Sequence, residues 1–277
     1  MIYVGCHVSI RGGYLQAAKM ASQIGASSFQ YFPKNPRNLA IKSFNLHDAE
    51  ACARFCHENG LLSIGHAPYP LNLAVEEDMS EVMLKAILNG LDITNSCGSI
   101  GLVVHFGKYR GADPLQGYKN IISLLNRTLR HWHGKACILL ENQAGEGTRM
   151  GTTLEELVQI RNLSEYPDKI GFCLDTCHAF ASGLWTGDNW NDVARKGAEL
   201  EYFDHLKAVH LNDSMYASGL RRDRHSNIGK GHIGEAPTKQ LLHASVLQGL
   251  PFVLETPTQN GSHQLEISYV QSLLNLS

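Results

Sequence analysis

Leu102-Val103-Val104-His105 and, further along, Cys137-Ile138-Leu139-Leu140-Glu141 decide how this chain is read. Each is a short apolar run that stops at a residue able to bind a metal. Apolar runs of this length without polar alternation are buried strands of a parallel sheet, where both faces are covered. The same pattern extends outward in both directions. Before these two come Ile2-Tyr3-Val4-Gly5-Cys6 running to His7, Ser28-Phe29-Gln30-Tyr31 running to Phe32-Pro33-Lys34, and Leu62-Ser63-Ile64-Gly65 running to His66. After them, Phe172-Cys173-Leu174 stops at Asp175, Lys207-Ala208-Val209 at His210, and Phe252-Val253-Leu254 at Glu255.

Amphipathic segments of helical length separate the runs. Tyr14 to Ile24 and Asp48 to Asn59 place small apolar residues at helical spacing. Later segments are Ser80 to Ser96, Pro114 to His131, Leu154 to Asn162, Asn191 to Leu200, Thr238 to Val246 and His263 to Leu274. Eight strand-helix units with short connections, in a chain close to the usual ~250 residues, predict an α/β fold of the (β/α)8 TIM-barrel type rather than an open doubly wound sheet. No Pro/Gly/Ser-rich linker or compositional shift divides the sequence, so residues 1–277 are expected to form one catalytic domain.

Composition narrows the function classes. The hydrophobic fraction of 43% supports a large core, and no apolar stretch is long enough to span a bilayer. Met1 to Ser9 lacks the basic and apolar regions of a signal peptide, and the expectation is a cytoplasmic protein, monomeric and without an evident protein partner. The seven cysteines include no CxxC pair and are read as buried reduced thiols. With 24 Lys and Arg against 26 Asp and Glu, bulk charge does not recruit nucleic acid. Local charge can.

In a parallel barrel the C-terminal strand ends converge on one face, and the loops leaving that face build the active site. His66, His105, Glu141, Asp175, His210 and Glu255 are therefore expected to ring one cavity. His178, three residues past Asp175, and Asp223-Arg224-His225 in the loop after the seventh strand join them. Solvation alone would be met by Asn, Ser or Thr, whereas imidazole mixed with carboxylate suits borderline metals such as zinc better than Mg²⁺ or Ca²⁺. Nine ligands exceed the needs of one ion. Asp175 and His178 should diverge across a strand-to-helix corner and serve different ions, while Asp223 and His225, two apart in an extended loop, should point the same way. Such a centre suits activation of water and neutralisation of a phosphate, the two needs of phosphodiester hydrolysis.

Gly65-His66-Ala67-Pro68-Tyr69, Val104-His105-Phe106-Gly107, Leu140-Glu141-Asn142-Gln143-Ala144-Gly145, Leu174-Asp175-Thr176-Cys177-His178-Ala179-Phe180, His210-Leu211-Asn212-Asp213-Ser214, Asp223-Arg224-His225-Ser226-Asn227-Ile228-Gly229 and Leu254-Glu255-Thr256 resemble the motifs of the endonuclease IV family. The resemblance runs from His7-Val8-Ser9 to Glu255. It implies a trinuclear zinc centre, with manganese able to take one position, that incises double-stranded DNA on the 5′ side of abasic sites and leaves a 3′-hydroxyl. Carried over by position, it implies one ion on His66, His105 and Glu141, with Glu141 bridging to a second ion held also by Asp175, His210 and Glu255. The third would take His178, Asp223 and His225. Glu255 and Glu141 carry the expected catalytic roles.

Departures from the family fall on the substrate side. Members commonly read His-Pro-Gly where this chain has His105-Phe106-Gly107, which places a bulky ring beside a ligand. Pro70 and Leu39 stand where some relatives carry larger wedge or aromatic residues. DNA contact is expected from basic residues in the loops of the active face: Lys34, Arg37, Lys108, Arg110, Arg149, Arg221, Arg222, Arg224 and Lys230. Arg37 and Tyr69 are expected to enter the helix at the abasic nucleotide, and Trp132, Trp185 and Trp190 to be packing or rim residues. Two other functions compete: a metal-dependent sugar isomerase or epimerase on a related barrel, and a DNA-binding homologue with weakened turnover. The preferred lesion is not encoded in any of these residues.

Overall fold

Strands and helices alternate along the described residues, 2–275 of a computed structural model. The strands are β1 (Tyr3–His7), β2 (Ser28–Tyr31), β3 (Leu62–His66), β4 (Gly101–His105), β5 (Cys137–Glu141), β6 (Ile170–Asp175) and β7 (Leu206–His210). A two-stranded antiparallel ribbon follows, β8 (Asp213–Ser214) with β9 (His225–Ser226), before the last long strand, β10 (Pro251–Leu254). All strands but the ribbon close into one parallel barrel in the order β1-β10-β7-β6-β5-β4-β3-β2. The expected (β/α)8 architecture is what forms.

The helices are α1 (Tyr14–Gln23), α2 (Leu46–Glu58), α3 (Glu77–Ser96), α4 (Pro114–Arg130), α5 (Leu154–Leu163), α6 (Thr176–Ser182), α7 (Trp190–Glu199), α8 (Glu235–Leu242) and α9 (Gln264–Asn275). Local signals explain several starts. Asn45 caps α2, Asp113 caps α4 just before Pro114, and Thr153 with Glu156 forms a capping box on α5. Several features differ from the sequence reading, among them the following. A short extra helix, α6, follows β6 directly, because the Asp175 side chain accepts from the backbone N–H of His178 and caps it. The segment expected from Thr238 to Val246 starts earlier, at Glu235, and ends at Leu242; a 3₁₀ turn takes over at Ser245–Leu247.

Strand periodicity places the site. Ile64, Val103, Leu139, Cys173, Ala208 and Val253 form a buried cluster separate from the larger core under the helices. Each lies two residues before His66, His105, Glu141, Asp175, His210 or Glu255. Side chains two apart on a strand share a face, so a lumen filled by the first set aims the second set into the mouth above it. All seven cysteines are free and the three tryptophans are buried. No helix among the described residues is long and apolar enough to cross a membrane.

Candidate metal centre

Glu141 stands at the middle of the mouth, at 1% exposure. Its Oε2 lies 3.5 Å from His66 Nε2 and 3.3 Å from His105 Nε2. Its Oε1 lies 3.0 Å from His210 Nδ1 and 3.3 Å from His178 Nδ1. One carboxylate therefore faces two separate sets of imidazoles. Across the mouth, Glu255 Oε2 is 3.4 Å and Asp175 Oδ2 3.8 Å from the same His210 Nδ1. On the outer side, Asp223 reaches His178 Nε2 at 3.1 Å through Oδ2 and His225 Nε2 at 3.3 Å through Oδ1.

The nine expected ligands thus gather into three groups whose donor atoms lie within 4.8 Å of one another: His66, His105 and Glu141; Glu141, Asp175, His210 and Glu255; and His178, Asp223 and His225. Asp175 and His178 fall into different groups, and Asp223 and His225 into the same one, as their spacing predicted. Asp175 and His225 also form a grouping with Cys177, whose thiol lies 3.7 Å from the Arg224 carbonyl and is pushed up to about 12 by burial.

Two observations show that the residues fit metal ions. Glu141 Oε2 and His225 Nε2 are buried without a hydrogen-bond partner, a costly state unless a cation completes them. In addition, imidazoles are anchored through the nitrogen that faces away from their group. His66 Nδ1 sits 2.7 Å from the Ala67 carbonyl and His225 Nδ1 3.4 Å from the Glu255 carbonyl. An N–H donated outward leaves the lone pair facing inward, the arrangement of metal-ligating histidines. Asn142 and Asn212 hold the residues that carry the carboxylates. Asn142 spans the backbone N–H and carbonyl of Asp175, and Asn212 donates to Asp175 Oδ2 at 2.7 Å and accepts the Glu255 N–H at 2.9 Å.

Electrostatics follow from crowding four carboxylates with five imidazoles. Burial opposes a charged His178, but Asp175 and Asp223 outweigh it and hold the ring well above its usual range. The balance is the same at His225, which burial lowers and Asp223 and Asp175 raise to about 9. At His105 burial wins, down to about 4. Burial would raise Glu255, yet His210 and His66 bring it to about 2, and Asp223 falls for the same kind of reason through His178 and His225. In the metal-free chain, protons on His178 and His225 occupy the place of cations. Zinc titrated at pH 7 into the chelator-stripped protein is therefore expected to release protons. Calorimetry in two buffers of different ionisation enthalpy checks this, with the release shrinking as pH rises past the His225 value of about 9. Binding without proton release would contradict the assignment.

The expected DNA-contacting residues divide. Tyr69 is 63% exposed at the mouth, edge-on to Phe32, and its N–H bonds the Pro36 carbonyl, tying the loops after β3 and β2 together. Arg37 lines a cavity of about 1050 Å³ that runs from Tyr69 to Glu255 and His7. Arg224 is exposed but its guanidinium is paired with Glu146 at 3.3 Å. Lys34 requires a correction. At 3% exposure its Nζ donates to the Ala86 carbonyl, and burial lowers it to about 8, so it braces the β2 loop against α3 instead of meeting phosphate. Phe106 also differs from expectation. Its ring is fully buried against Tyr118 and Gly151, where a Cβ would come within 2.5 Å of it. Pro70 is exposed, and Leu39 packs partly against the core.

Three residues escaped the sequence reading. Gln30, Asn142 and Asn212 all bond cluster residues, and Gln30 was traceable: it is the polar residue within the apolar Phe29-Gln30-Tyr31 strand, on the lumen side. His7 and Gln30 complete a ring of inward polar residues, one in or immediately after each barrel strand.

A closed parallel barrel with a metal-fitting cluster at its C-terminal mouth is the scaffold of an enzyme, and comparison with known proteins places it. Residues 18–273 match the family described as xylose isomerase-like TIM barrel. A probable endonuclease 4 from Symbiobacterium thermophilum is 41% identical over 98% of this chain and 99% of its own. The crystal structure of endonuclease IV from Thermus thermophilus superposes with a TM-score of 0.87 at 27% identity, covering 99% of this chain and all of that one. D-psicose 3-epimerase from Clostridium cellulolyticum shares the fold with a TM-score of 0.69 at 13% identity, covering 99% of this chain and 98% of its own. The chain belongs to the endonuclease IV family and is a nuclease of that family.

Proposed function

We propose that this protein is a zinc-dependent repair endonuclease that hydrolyses the phosphodiester 5′ to an abasic site in double-stranded DNA. The observation that carries this reading is the gathering of nine ligands into three adjacent groups, two of them sharing Glu141, beside a groove lined by Arg37 and Tyr69. His66, His105 and Glu141 would hold one zinc, Glu141, Asp175, His210 and Glu255 a second, and His178, Asp223 and His225 a third. When bound, the ions supply activation of water and neutralisation of the phosphate.

The protein's own residues do the rest. Tyr69 and Arg37 stand at the rim where the helix is opened and the abasic nucleotide enters. Glu255, anionic and with Oε2 toward the cluster, orients the attacking water by accepting its hydrogen bond. Water adds to phosphorus, the P–O3′ bond breaks, the upstream strand keeps a 3′-hydroxyl and the abasic sugar keeps the 5′-phosphate. An end-labelled abasic duplex, incubated with protein before and after chelation, tests this directly. Incision that survives complete metal removal would refute it.

The epimerase likeness concerns the fold alone. The third ligand group and the basic loops serve a phosphodiester better than a neutral sugar. Nor does Phe106 support weakened turnover, since its ring lies in the core and leaves the mouth clear.

Binding is expected to depend strongly on salt. With Lys34 turned inward, ~4 phosphate contacts remain from Arg37 and the loops after β4, β5 and β7, and raising salt from about 50 to about 200 mM should cost on the order of a hundredfold in affinity. Arg37→Ala should weaken abasic duplex binding more than undamaged duplex binding. Salt-insensitive binding, or an equal effect on both duplexes, would remove Arg37 from the opened site.

A further inference from the structure

We propose that Gln30 is a positioning residue that fixes which ring nitrogen of His210 and which oxygen of Glu255 face the centre. The inference rests on the metal reading above. Gln30 is fully buried on β2, and its amide meets three side chains. Nε2 lies 2.6 Å from Glu255 Oε1 and 3.2 Å from His7 Nδ1, and Oε1 lies 2.7 Å from His210 Nε2.

The assignment follows from donor and acceptor capacity alone. Ionised Glu255 can only accept, so the Gln30 NH₂ must face it. The amide oxygen is then left facing His210 Nε2, which must carry a proton to meet it. The lone pair of a neutral His210 is consequently at Nδ1, the atom that lies 3.0 Å from Glu141 and 3.4 Å from Glu255 Oε2. The second amide hydrogen requires a lone pair on His7 Nδ1, so His7 carries its proton on Nε2. His66 and His105 present Nε2 to Glu141. His210 differs from them, and Gln30 is the group that imposes the difference. The same contact holds Glu255 Oε1 away and leaves Oε2 for the cluster.

Outer partners of this kind typically change metal affinity by about ten- to hundredfold. Gln30→Met keeps the length of the side chain and removes every hydrogen bond; Gln30→Glu keeps an acceptor for His210 but sets a like charge against Glu255. The experiment combines zinc titration against a competing chelator with imidazole ¹H–¹⁵N spectra of His210, in zinc-loaded and metal-free protein. Wild type and Gln30→Glu are expected to show a hydrogen-bonded Nε2–H, and Gln30→Met to lose it. Both variants are expected to bind one zinc about ten- to hundredfold more weakly while the zinc of His66 and His105 is retained. An unchanged Nε2–H and wild-type zinc affinity in Gln30→Met would overturn the proposal, as would equal weakening of every zinc. A wild-type chain that binds no zinc would remove the metal reading itself, while the His210 spectrum of the metal-free chain would still judge Gln30.

Discussion

Replacing Glu255 with Gln is expected to lower single-turnover incision of an abasic duplex by on the order of 10²- to 10⁴-fold, with duplex affinity close to wild type. The reason lies in the amide contact at Oε1, where Gln30 Nε2 donates at 2.6 Å. A glutamine at this position has one oxygen, and Gln30 demands it. The new NH₂ group is then forced toward His210 Nδ1 and the cluster, where it can neither bind a cation nor accept a hydrogen bond from water. Anisotropy on a labelled duplex, read beside the incision rate and the metal content, separates the possibilities. Equal loss of binding and cleavage would make Glu255 a structural residue.

Glu141→Gln is expected to be as severe by a different route. The Glu141 carboxylate faces His66 and His105 through one oxygen and His210 and His178 through the other. An amide cannot present a lone pair on both sides, so two ligand groups fail together. Elemental analysis of protein purified without chelator should fall from about three zinc ions per chain to about one, by ligand count, and incision should fall to background. His225→Ala, by contrast, should loosen only the ion it shares with His178 and Asp223. Retention of about three ions by Glu141→Gln would sink the bridging role.

Much of this centre was legible in the chain alone. A buried parallel strand reads as an apolar run, and where the run stops the chain has reached the end of the barrel. His66, His105, Glu141, Asp175, His210 and Glu255 could therefore be assembled from strand ends alone, and the two-residue spacing of Asp223 and His225 put them on one side of their loop. The helix α6 was not legible, because it is short, buried and without an amphipathic pattern; its start depends on an Asp175 carboxylate shared between a helix cap and the cluster.

The sequence by itself determined the fold and the chemical types at the mouth, since both depend on periodicity and residue identity within a few positions. Only the tertiary structure decided what each side chain touches. Lys34 reads as a loop cation, yet α3 offers its ammonium the Ala86 carbonyl and turns it inward. Phe106 reads as an obstacle beside a ligand, yet Gly151 leaves room for its ring in the core. Gln30 and His210, separated by 180 positions, meet across the lumen at 2.7 Å. The registers and closure of the barrel set that distance through the packing of every intervening strand, and no local pattern in the chain records it.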